Sequence, residues 1–286
     1  MTAYAEQAWP LPSLSDQDRA LIGMYLAAGT HERLLRPRAP FELDAVSHAI
    51  EVLTEIEPLM AGSPDGHLIT VVTLGHFLVA CGQMTGAAAD LIAAQPLLLR
   101  ATADINTGDP SWSELAQTLA VAMSILANLG MDADHLEQAI SLLTPAASRP
   151  HPVPARAAMT RGTLGGLLIQ RAGFTAGWRD LDDGISHLMA SHDMTPAGHA
   201  YRVATGVNFA GALLTRFLER GQAEDVDAAR FYLAMVGTLA GPTGDEVRSL
   251  MADADVVVAG NKGLLGVVDG LRGDPSALDE AVSSGG

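Results

Sequence analysis

The apolar positions of this chain return at a fixed interval. Leu136, Ala139 and Leu143 stand three and then four positions apart; 45 residues on, the same places hold Leu181, Gly184 and Leu188, and then Val226, Ala229 and Leu233. In the other direction the interval reaches Leu91, Ala94 and Leu98, then Val46, Ala49 and Leu53. This spacing puts an aliphatic residue, a small residue and a leucine on one face of a helix. Five copies in one register predict five equivalent helices. Self-similarity at this period marks a repeat array, in which each unit buries its apolar stripe against its neighbours.

A longer helix is predicted ahead of each of these. Pro64, Pro110, Pro154, Pro196 and Pro242 lie 42 to 46 residues apart and are read as first-turn residues, where an amide has no intrahelical acceptor to lose. Ser63, Asp109 and Thr195 are the expected caps, and Thr243-Gly244-Asp245-Glu246 has the spacing of a capping box. Leu119, Met123, Leu126 and Leu129 form one apolar stripe, and Val203, Val207, Ala210, Leu214 and Phe217 form another. Gly130, Gly173 and Gly221 are expected to end first helices and permit the reversal. Upstream, Ser13 or Ser15 caps a helix running from Asp16 through Leu26, and the basic stretch Arg33 to Pro40 reads as a loop. The run Asp255 to Gly260 has strand-like composition but falls where the array requires a first helix, and is read as helix.

The expected fold is therefore all-α, an α-solenoid of antiparallel helix pairs with about 45 residues per unit. A flexible leader covers residues 1–13 and a single solenoid domain of five to six units covers 14–286. The last unit, around Leu278-Asp279-Glu280-Ala281-Val282, has hardly begun, so the chain reads as part of a longer protein or as frayed there.

Composition narrows the partners. The net charge is −16 and Lys262 is the only lysine, so the long-range field repels phosphate backbones and anionic lipid. Nucleic acid and membrane are not expected; a protein or peptide partner is. At 48% hydrophobic residues the chain is apolar, yet its longest runs are broken at His76, Gly82 and Gln83 or at Asn261 and Lys262, short of a span of about 18 apolar residues. No basic segment followed by an apolar core opens the chain, so the cytoplasm is the expected compartment. Cys81 is the one cysteine, read as a buried small hydrophobe.

Around the recurring phrase the sequence resembles the tetratricopeptide-like arrays of actinobacteria that often precede a caspase-like (CHAT) protease domain. The matching residues are Asp180-Leu181-Asp182-Asp183-Gly184-Ile185, Glu224-Asp225-Val226-Asp227-Ala228-Ala229 and Gly273-Asp274 through Val282, with Asn208 to Phe217 similar to that family's first helix. The likeness runs from about residue 113 to 282. It implies a recognition or scaffold part, with no catalytic residue to transfer. The units are longer than the usual 34-residue tetratricopeptide and lack its Trp, Gly, Tyr and Pro pattern.

The remaining chemistry is weighed against simple structural roles. His187, His192 and His199 are not spaced to converge on a metal, and no cofactor is expected. Asp180, Asp182 and Asp183, with Asp134, Glu137, Asp225 and Asp227 at comparable places, read as helix capping rather than acid-base catalysis. Gly162-Thr163-Leu164-Gly165-Gly166 lacks the strand and the Lys-Ser/Thr of a phosphate loop and reads as close helix contact. Trp112 and Trp178 are read as packing groups, with Trp178 kept as a candidate ligand anchor. Asn128, Arg156, Gln170, Arg202, Asn208 and Arg216 interrupt first helices and complete the candidate binding set.

The expected function is a non-enzymatic protein- or peptide-binding scaffold or sensor module. Its rival is a small-molecule binder or enzyme, with a deep apolar pocket holding Trp178 or His187. A self-associating element, and so a homo-oligomer, is a third reading.

Overall fold

The structure is a computed structural model that describes Trp9 and residues 13–34, 43–130, 134–175, 177–196, 199 and 201–240. The expected leader up to Pro12 apart from Trp9, the part of the expected Arg33 to Pro40 loop that follows Leu34, and everything from Pro242 onward lie outside the described residues. That includes the capping box, the strand-like run and the incomplete last unit. Arg33 and Leu34 themselves are helical. Ten α-helices are present among the described residues: α1 (Asp16–Leu34), α2 (Leu43–Ile56), α3 (Pro64–Thr85), α4 (Ala88–Asp104), α5 (Pro110–Asn128), α6 (Asp134–Ala147), α7 (Pro154–Thr175), α8 (Trp178–Met194), α9 (Tyr201–Arg220) and α10 (Ala223–Ala240). A short 3-10 turn, Pro58–Gly62, follows α2. Two compact units divide the chain, Met1–Arg156 and Ala157–Gly286.

Within each unit every helix packs on the next in sequence, and in the first unit α3 also packs on α5. The repeated phrase accounts for this. All fifteen of its positions, from Val46, Ala49 and Leu53 to Val226, Ala229 and Leu233, are buried. The small middle residue lets helices approach closely while the flanking aliphatic residues fill the seam. The same period governs the first helices: Gly75, Ala120, Gly165 and Ala210, again 45 apart, are all buried. In the second unit the core gathers Leu181, Ile185, Leu188, Phe209, Leu213 and Leu233.

Helix ends follow local chemistry. Ser63 Oγ accepts from the Gly66 amide at 3.3 Å and Asp109 Oδ1 from the Ser111 amide at 2.8 Å, each just ahead of a first-turn proline. Ser15 Oγ accepts from the Asp18 amide at 3.2 Å at the start of α1. Gly86, Gly130 and Gly221 take φ of +71°, +72° and +69° as α3, α5 and α9 reverse, a conformation that penalises any Cβ.

Three expectations about helix ends differ from what is found. Gly173 is an ordinary residue of α7, which runs on to Thr175. Leu129 lies beyond α5 and is exposed. Thr195 closes α8 instead of opening the next helix: its hydroxyl donates to the Ser191 carbonyl at 2.7 Å, and α9 starts only at Tyr201. A threonine can serve either end of a helix, and here the unpaired carbonyls of α8 claim it.

The helix Pro64–Thr85 is, by length and composition, apolar enough to cross a membrane, but half of its most apolar window is buried in the protein. Leu98 presses on Gly75 and Leu91 on Gly82, so the apolarity is at least partly that of a core helix. Cys81 on the same helix is buried, and burial together with the Asp90 carboxylate pushes its thiol pKa up, away from reactivity.

Where α7 crosses α8, backbone meets backbone. A Cβ on Gly165 would stand 2.8 Å from the Gly184 carbonyl, and one on Gly184 would stand 2.9 Å from the Gly165 carbonyl and 2.7 Å from Ile169 Cγ1. Two backbones in contact cannot yield as a flexible side chain would. Gly184→Ala is therefore expected to destabilise by about 2 kcal/mol. Gly166→Ala, with nothing within 4 Å of the new methyl, is expected to stabilise by about 0.5–1 kcal/mol. Urea unfolding of the two variants checks the opposite signs.

Candidate functional site

The second unit carries a built site at the end where α7 turns into α8 and α9 ends. Its foundation is a pair of ion pairs in repeat register. Arg171, one turn from the end of α7, donates through Nε and Nη2 to both carboxylate oxygens of Asp180 at 2.7 Å each. Forty-five residues later, Arg216 of α9 donates to both oxygens of Asp225 at 2.8 and 2.7 Å. In each case the acid stands in the first turn of the following helix, where the helix dipole favours a negative charge. The acids read in the sequence as caps thus have a different partner. Gly177 precedes α8 with no side-chain cap, and Asp180 spends its oxygens on a guanidinium.

A second layer ties α8 to α9. Asp182 accepts from Arg216 Nη1 at 3.1 Å and from Arg220 Nη1 at 2.8 Å. Arg220 also donates to the Trp178 carbonyl at 3.1 Å and lies 4.9 Å above the centre of the Trp178 ring. Burial raises the Asp182 carboxyl pKa, but the hydrogen bonds from Arg220 and Arg216 outweigh it and hold the group below the usual range. The hydrogen bonds to Asp225, ahead of those to Asp182, hold Arg216 above its ordinary value against the opposing effect of burial.

On this frame Trp178 is fixed yet 45% exposed. It forms one wall of an apolar recess of about 130 Å³, completed by Ile169 and Ala172 of α7, Leu181 of α8, and Thr215 and Glu219 of α9. The Thr215 hydroxyl is engaged by the Gly211 carbonyl at 3.0 Å. Glu219 has no ion-pair or hydrogen-bond partner among the described residues. Phe174 and Leu218, chain neighbours of the residues lining the recess, are exposed by 65% and 59%.

No protein-family model matches the chain, and no curated protein does. Among solved structures, the nearly identical TPR-like repeats of a putative kinesin light chain from Podosopora anserina, in a Q17M form, align at a TM-score of 0.50. The identity is 14%, over 79% of this chain and 95% of that one. The hypoxic regulator of sterol synthesis Nro1, described as a nuclear import adaptor, aligns at a TM-score of 0.49 with 13% identity, over 99% of this chain and 89% of that one. The fold is an all-α, tetratricopeptide-like solenoid.

Of the candidate residues, the repeat architecture brings only Trp178 and Arg216 into one network. Arg202 caps α8, donating to the His192 carbonyl at 3.2 Å and to the Thr195 carbonyl, which is where unpaired helix carbonyls attract a cation. Asn208 is exposed on α9, Gln170 is half-buried on α7 and Asn128 is exposed as the last residue of α5. Arg156 lies 3.5 Å from Glu114, which also has His151 at 3.6 Å. Trp112 is a packing group, buried with Arg149 5.1 Å above its ring. Sequence reasoning missed Glu219, Arg220 and Asp182 as site residues. The 45-residue step from Arg171 to Arg216 and from Asp180 to Asp225 was a signal that was there to be found.

The first unit has two larger clefts of its own. One, of about 500 Å³, is lined by Asp65, His67, Arg100 and Asp104 between the start of α3 and the end of α4. The other, of about 560 Å³, lies over Leu99, Trp112, Gln138 and Leu142. Neither contains Trp178 or His187.

Proposed function

We propose that the chain is a protein-interaction scaffold and that the recess beside Trp178 is a contact site for a peptide segment of its partner. The observation that carries this is a half-exposed tryptophan held from behind by a guanidinium that is itself pinned by Asp182. A rigid, amphipathic ring at the mouth of a small apolar hollow is how binding hot spots are built, because little side-chain entropy remains to be lost on contact.

The hollow is smaller than the roughly 300–1,000 Å³ of sites that enclose a drug-sized molecule, and His187 does not line it. Both points favour a single anchoring side chain over an enclosed small molecule. The finer kinship, with arrays that precede caspase-like protease domains, rests on the phrases around Leu181, Val226 and Leu278.

Trp178→Ala is expected to weaken capture of the partner peptide about tenfold or more, the usual consequence of truncating an aromatic hot spot. Asn208→Ala, on an exposed face away from the network, is expected to leave it unchanged. Fluorescence anisotropy with labelled peptides measures both. Equal affinity for wild type and Trp178→Ala would remove the recess from the binding surface.

A further inference from the structure

We infer that the segment received beside Trp178 is basic: an aliphatic side chain enters the recess and a neighbouring lysine or arginine pairs with Glu219. This rests on the reading of the recess as a peptide site and adds the chemistry of its occupant.

Volume sets the anchor. A dry cavity of about 150 Å³ accepts one benzene, so a hollow of about 130 Å³ walled by Ile169, Ala172, Leu181 and the Trp178 ring suits one leucine-sized group and no more. Its walls offer that group almost no polar competition, since the Thr215 hydroxyl is already spent on Gly211.

Charge sets the neighbour. The three arginines packed around the recess are committed, Arg171 to Asp180, Arg216 to Asp225 and Asp182, and Arg220 to Asp182 and Trp178, while Arg179, which does not line it, is exposed with Asp183 3.8 Å away. None of the three is offered to an acidic ligand. Glu219 is the reverse case, an exposed acidic residue at the recess with no partner among the described residues. An acidic segment would meet an uncompensated like charge there, and a neutral one would leave Glu219 without a counter-ion beside an apolar contact. A basic segment supplies the missing charge, in keeping with the net charge of −16.

Three fluorescein-labelled twelve-residue peptides test this on the full chain in 150 mM salt. They share the same leucines and carry lysine, glutamate or serine at the intervening positions, and anisotropy reads their affinities. Far-UV circular dichroism confirms that each variant keeps the wild-type helix content. The lysine peptide is expected to bind wild type about threefold to fivefold more tightly than the other two, the range of an exposed ion pair. Glu219→Gln should bring it down to the level of the serine peptide, Glu219→Lys should reverse the order of lysine and glutamate peptides, and Trp178→Ala should weaken all three.

A preference for lysine that survives both Glu219 variants overturns the inference, because it then comes from the overall charge. Binding that depends on Trp178 but not on peptide charge also overturns it, while leaving the peptide site standing. Binding indifferent to Trp178 removes the site itself.

Discussion

Arg216→Leu, with Asp225 left in place, is expected to destabilise the protein by about 3 kcal/mol in urea unfolding. The magnitude follows from what remains rather than from what is removed. Asp225 has a side chain only 6% exposed and accepts both of its close charge-assisted bonds from Arg216, so the substitution strands a carboxylate away from water. Breaking a buried pair on one side costs about 3–5 kcal/mol. The lower end applies because Asp225 keeps the favourable dipole of α10 and Arg216 is itself 22% exposed. Leucine is the chosen replacement because Leu126 occupies the equivalent station of α5, two repeats or 90 residues earlier, fully buried. The double variant Arg216→Leu/Asp225→Ala is expected to recover most of the loss, since no orphan charge is left. A double variant no more stable than the single one would show that the pair's value is not electrostatic.

The second large effect is on pH dependence, and it belongs to the first unit. His76 on α3 stacks on His31 of α1 at 6.3 Å, two rings in register one repeat apart. Burial first, then the charges of His31 and Arg156, push the His76 pKa down to about 4 from 6.5. A base with a depressed folded pKa is stabilising while neutral. Above pH 6.5 neither state is protonated there and the full stability is present. As pH falls from 6.5 toward 4 the unfolded chain takes up a proton that the folded one refuses, and stability drops; below about 4 both states carry the proton and the loss is complete.

A shift of this size corresponds to up to about 3 kcal/mol across that window, trimmed because His76 keeps part of its surface in water. His76→Val, the residue that Val121 supplies at the next station, is expected to flatten the dependence of the urea midpoint on pH between 6.5 and 4. It should not abolish it, since burial, and after it Arg161 and Arg202, also push His187 and His192 down, against smaller opposing pulls from Asp183 and Asp193. An unchanged slope in the variant would assign the dependence to other groups.

Both predictions turn on residues placed by the 45-residue interval, and the interval was readable without coordinates. Three positions in each of five helices announce it, because burial of one stripe requires the same side-chain sizes at the same angular places in every unit. Local chemistry was equally plain where one signal stood alone: Ser63 and Asp109 beside prolines became caps. It failed at Thr195, where a capping residue next to a proline serves the helix behind it. The acids at the start of α8 and α10 were legible as first-turn residues, but not as partners of Arg171 and Arg216. A carboxylate near a helix N-terminus is explained well enough by the dipole alone, and only packing of the preceding helix brings a guanidinium within 2.7 Å.

The sequence by itself determined that the chain is helical, that it repeats every 45 residues, and which face of each helix is buried. Those properties follow from spacing along one dimension, and every unit restates them. Only the tertiary structure decided which polar residues meet. Trp178 and Arg216 share a network through Asp182 and Arg220, while Arg202 is spent on the carbonyls of α8 and Asn208 is left on an open face. Charged side chains that look alike in sequence differ here because a contact between helices joins residues 34 to 42 positions apart, and the helix crossings that close that distance are set by the packing of the small and aliphatic residues beneath them.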